Sequence, residues 1–251
     1  NTKPELEVGI IKFPSISNFS DLDPLENEEG VKLNWIENCQ NLDKFDLIIL
    51  PGSKQTIKDI NFLKKTGLIE NIRDYSKKDG NILGICGGLQ MLGESLEDPY
   101  LKEGSGSSKK SILGIGLLPL KTTFKKTKIT KRIICNTTWP SEGKVEGYEI
   151  HNGITEIIKR GETENLKNIF EQHQLGWYID NDKKGSIAGI YVHGIFDNDL
   201  WRINYLNLIK VKKGIQILDK KYTPYKIKRD EIINNLAYEF KKHININSLL
   251  N

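Results

Sequence analysis

The apolar run Ile82–Ile85 stands between the polar stretch Lys77-Lys78-Asp79-Gly80-Asn81 and the turn Cys86-Gly87-Gly88. So short a run, with no polar residue on either alternating face, is what a strand covered on both sides of a parallel sheet requires. This is the tightest constraint on the fold, because such a sheet needs helices above and below it. The upstream pattern supplies them. Leu6–Phe13, Val31–Ile36 and Phe45–Leu50 read as strands, the last ending at Pro51–Gly52. Between Thr56 and Lys78 two helical segments split near Thr66–Gly67, with Ile57, Ile60 and Leu63, then Ile69, Ile72 and Tyr75, at helical spacing. Strands alternating with helices predict an α/β fold: a doubly wound, mostly parallel sheet flanked by helices, flavodoxin-like in kind.

The second half is less regular, and some of its strands are expected to be antiparallel. Leu113–Leu118, Thr122–Phe124, Ile129–Ile134 and Lys144–Ile150 read as strands, and Gly104–Lys110 as a surface loop. Ser186–Val192 reads as a late strand that delivers His193 at its carboxyl end. Asp199–Lys210 and Lys228–Lys242 read as helices, the latter with Ile233, Leu236, Ala237 and Phe240 on one face. There is no internal repeat and no linker composition, so residues 1–251 are expected to form a single domain.

Composition narrows the setting. Cys39, Cys86 and Cys135 make an odd count without CxxC spacing, which argues against a disulfide framework or a zinc site and for a reducing cytoplasm. No metal is expected. No stretch approaches the roughly 20 apolar residues that span a bilayer, and no basic-then-apolar leader argues for secretion. The chain begins at Asn1 without methionine, as a processed or shortened chain does. The basic run Lys121, Lys125, Lys126, Lys128, Lys131 and Arg132 reads as a solvated face. Only Phe124 interleaves with it, so nucleic acid is not an expected partner.

The chemistry concentrates in Gly84-Ile85-Cys86-Gly87-Gly88-Leu89-Gln90. A buried strand running into cysteine, two glycines and a helical pattern is a nucleophile elbow. The sharp turn presents the thiol at a helix N-terminus, where partial positive charge favours the thiolate. The Gly87 amide points where an oxyanion would form. Cys39 and Cys135 have no comparable setting. The second signal is Ile190-Tyr191-Val192-His193-Gly194, whose histidine can reach the same sheet edge and act as general base, then general acid. His173 and His243 lie in polar or helical surroundings and look incidental. The third is Pro51-Gly52-Ser53-Lys54-Gln55-Thr56, a turn after a buried strand that can supply a second oxyanion donor. Its wording hints at a phosphate loop, but the GxxxxGK[ST] spacing is absent, so this chain is not expected to bind ATP by itself.

Together, GICGGLQ, PGSKQT and YVHGIF resemble the class I (triad-type) glutamine amidotransferases. With FPSISNFSDLDPL, Gly93-Glu94, Asp98-Pro99 and GYEIHNG they resemble, more narrowly, the glutaminase domain of the cobyric acid synthase family, over nearly the whole chain from about Leu6. The resemblance implies a cytoplasmic enzyme of cobalamin biosynthesis that hydrolyses glutamine through a thioester on Cys86, with His193. Gly52 and Gly87 would frame the oxyanion hole, and Gln90 would contact the substrate. It also implies an ATP-dependent synthetase domain, in the same full-length chain or a separate subunit, that holds ATP and Mg²⁺ and amidates the corrinoid adenosylcobyrinic acid a,c-diamide. Many class I relatives carry an acid two residues after the histidine; here that position is Ile195, and Glu149 or Asp21 is expected to orient the ring instead. Related alternatives are the glutaminase of cobyrinic acid a,c-diamide synthase or of the lipid II amidating complex. An alternative of another class is an idle docking module.

Overall fold

The structure is a computed structural model, which describes residues 5–103, 111–158, 165–171, 174–180, 185–217 and 222–244. The expected loop Gly104–Lys110 and His173 lie outside the described residues. The chain divides into two compact units, Asn1–Ile217 and Leu218–Asn251.

The first unit opens with β1 (Leu6–Ile11), the short β2 (Ile16–Ser17), a 3-10 turn over Phe19–Leu22, α1 (Asp23–Glu26), β3 (Val31–Ile36) and β4 (Leu47–Leu50). The two-residue β5 (Gly52–Ser53) leads to α2 (Thr56–Lys65), α3 (Leu68–Lys77), β6 (Asn81–Ile85) and α4 (Gly87–Leu92). There follow β7 (Ser95–Glu97), β8 (Ser111–Leu113), β9 (Leu120–Thr137) and β10 (Gly143–Ile157). The unit closes with β11 (Lys167–Asn168), β12 (Gly176–Asp180), β13 (Ser186–Ile190), β14 (Val192–His193) and α5 (Asp199–Lys212).

Among the described residues the main sheet has seven strands, ordered β11-β12-β13-β6-β4-β1-β3. The five from β13 to β3 are parallel, and β12 and β11 continue the sheet antiparallel at one edge. Every residue of β4 and β6 is buried, as their uninterrupted apolar runs predict. Ile57, Ile60, Leu63, Leu68, Ile69 and Ile72 of α2 and α3 are buried too. Gly67 separates these helices at φ 75°, a left-handed turn that glycine takes without a Cβ clash.

A second sheet, β14-β10-β9-β7-β8, is built on the long antiparallel pair β9 and β10. The two expected strands Thr122–Phe124 and Ile129–Ile134 are one. In the lysine-rich stretch between them the register shifts: Lys128 stands opposite Asn152 and the next pair is Thr123 with Ile154, so Phe124–Thr127 bulge out of the ladder. The strand runs on because lysine stems are tolerated where a strand faces water. The expected strand Leu113–Leu118 is strand only to Leu113. Its remainder closes the end of α4: the N–H groups of Ile115, Leu117 and Leu118 donate to the Met91 and Leu92 carbonyls at 2.7, 2.9 and 3.0 Å. Helix-end carbonyls need such partners. Behind the site, buried Arg202 of α5 bonds Glu28 at 2.8 Å, Asp199 at 2.6 Å and the Phe196 carbonyl at 2.5 Å, which pins the turn following His193.

The second unit contributes α6 (Tyr225–His243), which begins just after Pro224, a helix-start signal. No helix among the described residues is long and apolar enough to cross a membrane.

Candidate active site

Cys86 sits where β6 turns into α4, at φ 51° and ψ −105°. A side chain held at such positive φ costs about 1–3 kcal/mol, so its surroundings must enforce it. They do: Leu83, Ile85 and Leu89 are fully buried, and the Cys86 N–H donates to the Ile190 carbonyl at 2.7 Å. At Gly88 an added Cβ would run into the Leu50 carbonyl, so α4 can lie this close to β4 only without a side chain there. Cys86 is itself buried, with Sγ 3.3 Å from the Ile150 carbonyl oxygen of β10.

His193 arrives from the second sheet, which corrects the single late strand read from the sequence. β13 ends at Ile190; the Tyr191 N–H turns to the Leu175 carbonyl at 2.7 Å, and β14 then pairs Val192 and His193 with Glu149 and Tyr148. Gly147 is the physical reason. Any Cβ there would strike the His193 carbonyl, so only glycine lets β14 settle on β10.

The imidazole Nδ1 lies 2.7 Å from Asp21 Oδ2, and Asp21 Oδ1 accepts the Gly194 N–H at 2.8 Å. Asn18 Nδ2 is 3.2 Å from Nε2 and can donate to that nitrogen when it is bare. Burial acts against charge on this ring, but the hydrogen bonds to Asp21 and Cys86, with the electrostatic pull of both, outweigh it and push the His193 pKa up to about 10. Ile195, two residues on, is buried and apolar.

Of the two acids expected beside this ring, Asp21 touches it and Glu149 does not. Glu149 accepts from His151 Nε2 at 2.9 Å and pairs with Lys131 Nζ at 3.0 Å. Both Glu149 and His151 are buried, and the His151 ring stacks on Tyr191 with centroids 3.8 Å apart.

Cys86, His193, His151, Gln90 and Asn18 line one cavity of about 300 Å³, with Ser17, Ser53, Lys54, Thr56, Glu103, Phe124, Lys128, Ile150 and Asn152. That volume suits a small polar molecule. Gln90 is buried on its wall: Oε1 accepts from Thr56 Oγ1 at 3.1 Å, and Nε2 donates to the Asn152 carbonyl at 3.0 Å and Tyr191 Oη at 3.2 Å. Only spare acceptor capacity on Oε1 is left for a ligand. Gly52 lies against His193, with Cε1 3.4 Å from the position of an added Cβ. The Ser53 nitrogen lies 2.8 Å from the position a Cβ would take on Gly87, so the two expected oxyanion-hole elements adjoin. Asp59 ties this loop down, accepting from the Ser15 N–H at 3.1 Å and Ser53 Oγ at 2.6 Å.

The other motifs fall away from the cavity. Cys39 is exposed; Cys135 is buried, and burial pushes its thiol up to about 11. Half of the basic run is spent on acids: Lys121 pairs with Glu97, Lys131 with Glu149 and Arg132 with Glu146. Lys126 lies over the Tyr100 ring, and Lys128 lines the cavity. Among the described residues no group of three or more His, Cys, Asp or Glu is arranged to hold a metal. Sequence reading missed Asn18 as a histidine partner and missed Glu103 entirely. Asn18 has one signal, an αL-prone asparagine ahead of Asp21; Glu103 has none.

The fold is that of the class I glutamine amidotransferases. The structure of PurLQS from Thermotoga maritima superposes with a TM-score of 0.60 at 16% identity, covering 83% of this chain and 100% of that one. A crystal structure of a glutamine amidotransferase gives 0.58 at 12% identity over 81% and 98%. The model of the CobB/CobQ-like glutamine amidotransferase domain matches residues 7–201, and the chain belongs to that family. Cobyric acid synthase from Prochlorococcus marinus subsp. pastoris (strain CCMP1986 / NIES-2087 / MED4) is 58% identical over 100% of this chain and 49% of its own length. The same enzyme from strain MIT 9312 is 57% identical over the same shares. The chain thus spans about half the length of these curated relatives.

Proposed function

We propose that this chain is the glutamine-hydrolysing part of a cobyric acid synthase. The observation that carries the reading is a buried cysteine, forced to positive φ at a strand–helix turn, in one cavity with an imidazole that an aspartate holds at 2.7 Å. His193 takes the Cys86 proton, and Sγ attacks the side-chain amide carbon of glutamine. The carbonyl electron pair moves to oxygen, which the backbone N–H groups around Gly87 and Gly52–Ser53 receive. Collapse breaks the C–N bond; His193 returns the proton to the leaving nitrogen, and ammonia departs from a glutamyl thioester. Water then adds with His193 as base, giving glutamate and the free thiol. Asp21 is the orienter in this scheme, and Gln90 a wall of the substrate site.

The relatives' greater length supports a synthetase part beyond these residues, continuous with them in one protein. There ATP and Mg²⁺ would activate carboxylates of adenosylcobyrinic acid a,c-diamide, which the ammonia amidates. The test is glutamate release by wild type and by Cys86→Ala, with covalent labelling by a glutamine-analogue electrophile. Wild-type turnover and labelling at Cys86, both lost in the variant, are expected. A wild type that neither turns over nor labels, with the synthetase part loaded, would make the chain an idle docking module.

A further inference from the structure

Asp59, in the first turn of α2, is fully buried and stands behind the cavity rather than on its wall. Its two carboxylate oxygens serve two different loops. Oδ1 accepts the Ser15 N–H at 3.1 Å, and Oδ2 accepts from Ser53 Oγ at 2.6 Å. The Ser53 hydroxyl in turn accepts the Gln55 N–H at 3.0 Å, so both its donor and its acceptor roles are fixed.

These loops carry the two halves of the proposed reaction centre. Ser15 leads into β2 and on to Asn18 and Asp21, which hold His193. Ser53 belongs to β5, beside the oxyanion position. The two short strands pair antiparallel, with Ile16 opposite Ser53 and Ser17 opposite Gly52. The Lys54 N–H donates to the Ser15 carbonyl at 2.9 Å, which makes Ile16 and Ser53 the non-hydrogen-bonded kind of antiparallel pair. The Ser53 N–H therefore points out of this ladder, and its nitrogen lies 2.8 Å from where a Cβ on Gly87 would be.

Two residues of strand on each side are too few to hold that aim by themselves. The Ser53 hydroxyl is the nearest handle, and Asp59 grips it. A neutral side chain would fill the same place at a lower desolvation cost: burial raises the Asp59 pKa, in spite of the bonds from Ser53 and Ser15 and the charge of Lys58. What the charge adds is stiffness, since a hydrogen bond to an ionised acceptor is about twice as strong as a neutral one. Resting on the glutaminase reading, we propose that Asp59 is a positioning residue for the oxyanion hole: through the Ser53 hydroxyl it aims the Ser53 N–H at the oxygen on which charge develops. It touches neither glutamine nor the sulfur, so its loss lowers turnover rather than binding. A donor displaced by about 1 Å costs about 10²-fold in rate.

The experiment follows two reactions of Cys86 in the full-length protein: glutamine hydrolysis, and alkylation by iodoacetamide read at the Cys86 peptide. Hydrolysis builds an oxyanion; displacement of iodide from the reagent's methylene carbon builds none, although both need the activated sulfur. Asp59→Asn keeps an acceptor for the Ser15 N–H but turns a donor towards Ser53. It should lower the glutamine kcat by about tenfold or more, with KM within about threefold and alkylation within about twofold of wild type. Ser53→Ala should show the same split, and the double variant should be no slower than the slower single one. Should Asp59→Asn fail to fold, Ser53→Ala, which leaves the carboxylate in place, carries the comparison. Equal losses in hydrolysis and alkylation, an unchanged kcat, or additive losses in the double variant would each overturn the assignment. A wild type that is alkylated at Cys86 yet hydrolyses no glutamine brings down the glutaminase reading instead.

Discussion

Two buried carboxylate–imidazole pairs put their rings on the same cavity, and they behave in opposite ways. Asp21 meets His193 at 2.7 Å, and Glu149 meets His151 at 2.9 Å. By distance alone they are interchangeable. The His193 pKa is nonetheless raised to about 10, whereas burial holds that of His151 below its usual 6.5 despite Glu149. The company each pair keeps explains the difference. His193 has two partners, Asp21 and Cys86, and their hydrogen bonds and electrostatic pull together overcome desolvation. Glu149 divides its charge between His151 and Lys131; burial raises its pKa, but these two partners outweigh that and keep it lowered. Positive charge from His193 further disfavours a proton on His151. A histidine–acid pair is therefore not a site in itself; what decides is whether a third group completes it.

The largest effect expected separates the two rings directly. His193→Ala should lower glutamine hydrolysis by about 10³-fold or more, the scale of a lost general acid–base group. His151→Ala should stay within about tenfold, since that ring supports Tyr191 and the cavity wall without meeting the sulfur. Equal losses in steady-state rates would erase the distinction.

The acids come next. Asp21→Asn should cost about 10²-fold or more by releasing the ring's orientation, and Glu149→Gln less than about threefold. The pH dependence of stability sharpens this. With a folded pKa raised from 6.5 to about 10, His193 contributes stability that is whole below pH 6.5 and lost as pH rises through about 10. The wild-type advantage in melting temperature over Asp21→Asn should thus be present at neutrality and gone above pH about 10. His151 has the opposite sign: its pKa is lowered, so the unfolded ring takes the proton first and stability falls as pH drops below 6.5. Melting curves in which Asp21→Asn lags equally at both pH extremes would refute the pairing.

How much of this was legible in the sequence follows from how local each signal is. The parallel sheet and the elbow at Cys86 are written within single segments, as apolar runs and a Gly-flanked turn. The break between α2 and α3 is written the same way, as one glycine. The route of His193 is not local. The strand that carries it changes sheets at Tyr191, and the cause, a missing side chain at Gly147, lies more than forty positions earlier. Choosing between Asp21 and Glu149 was likewise beyond pattern reading, because both precede the histidine at distances that only tertiary folding sets. Glu103 left no trace: an acid after Asp98-Pro99-Tyr100-Leu101-Lys102 looks like any polar loop until Thr56 and Ile57 close over it.

The smallest effect tests the reason given for the contrast. Lys131 is more than half exposed, so its bond to Glu149 is screened by water and contributes little stability. Removing it should still be visible at His151, because Glu149 would then have one partner rather than two. Lys131→Ala should raise the His151 pKa towards its usual 6.5, read from the imidazole proton resonances in an NMR titration, and change glutamine turnover by less than about twofold. A His151 pKa that stays put would mean that burial alone sets it, and that Lys131 is a bystander. A turnover change as large as that of Asp21→Asn would place the Glu149–His151 pair inside the reaction, and the two pairs would have to be treated as one coupled system.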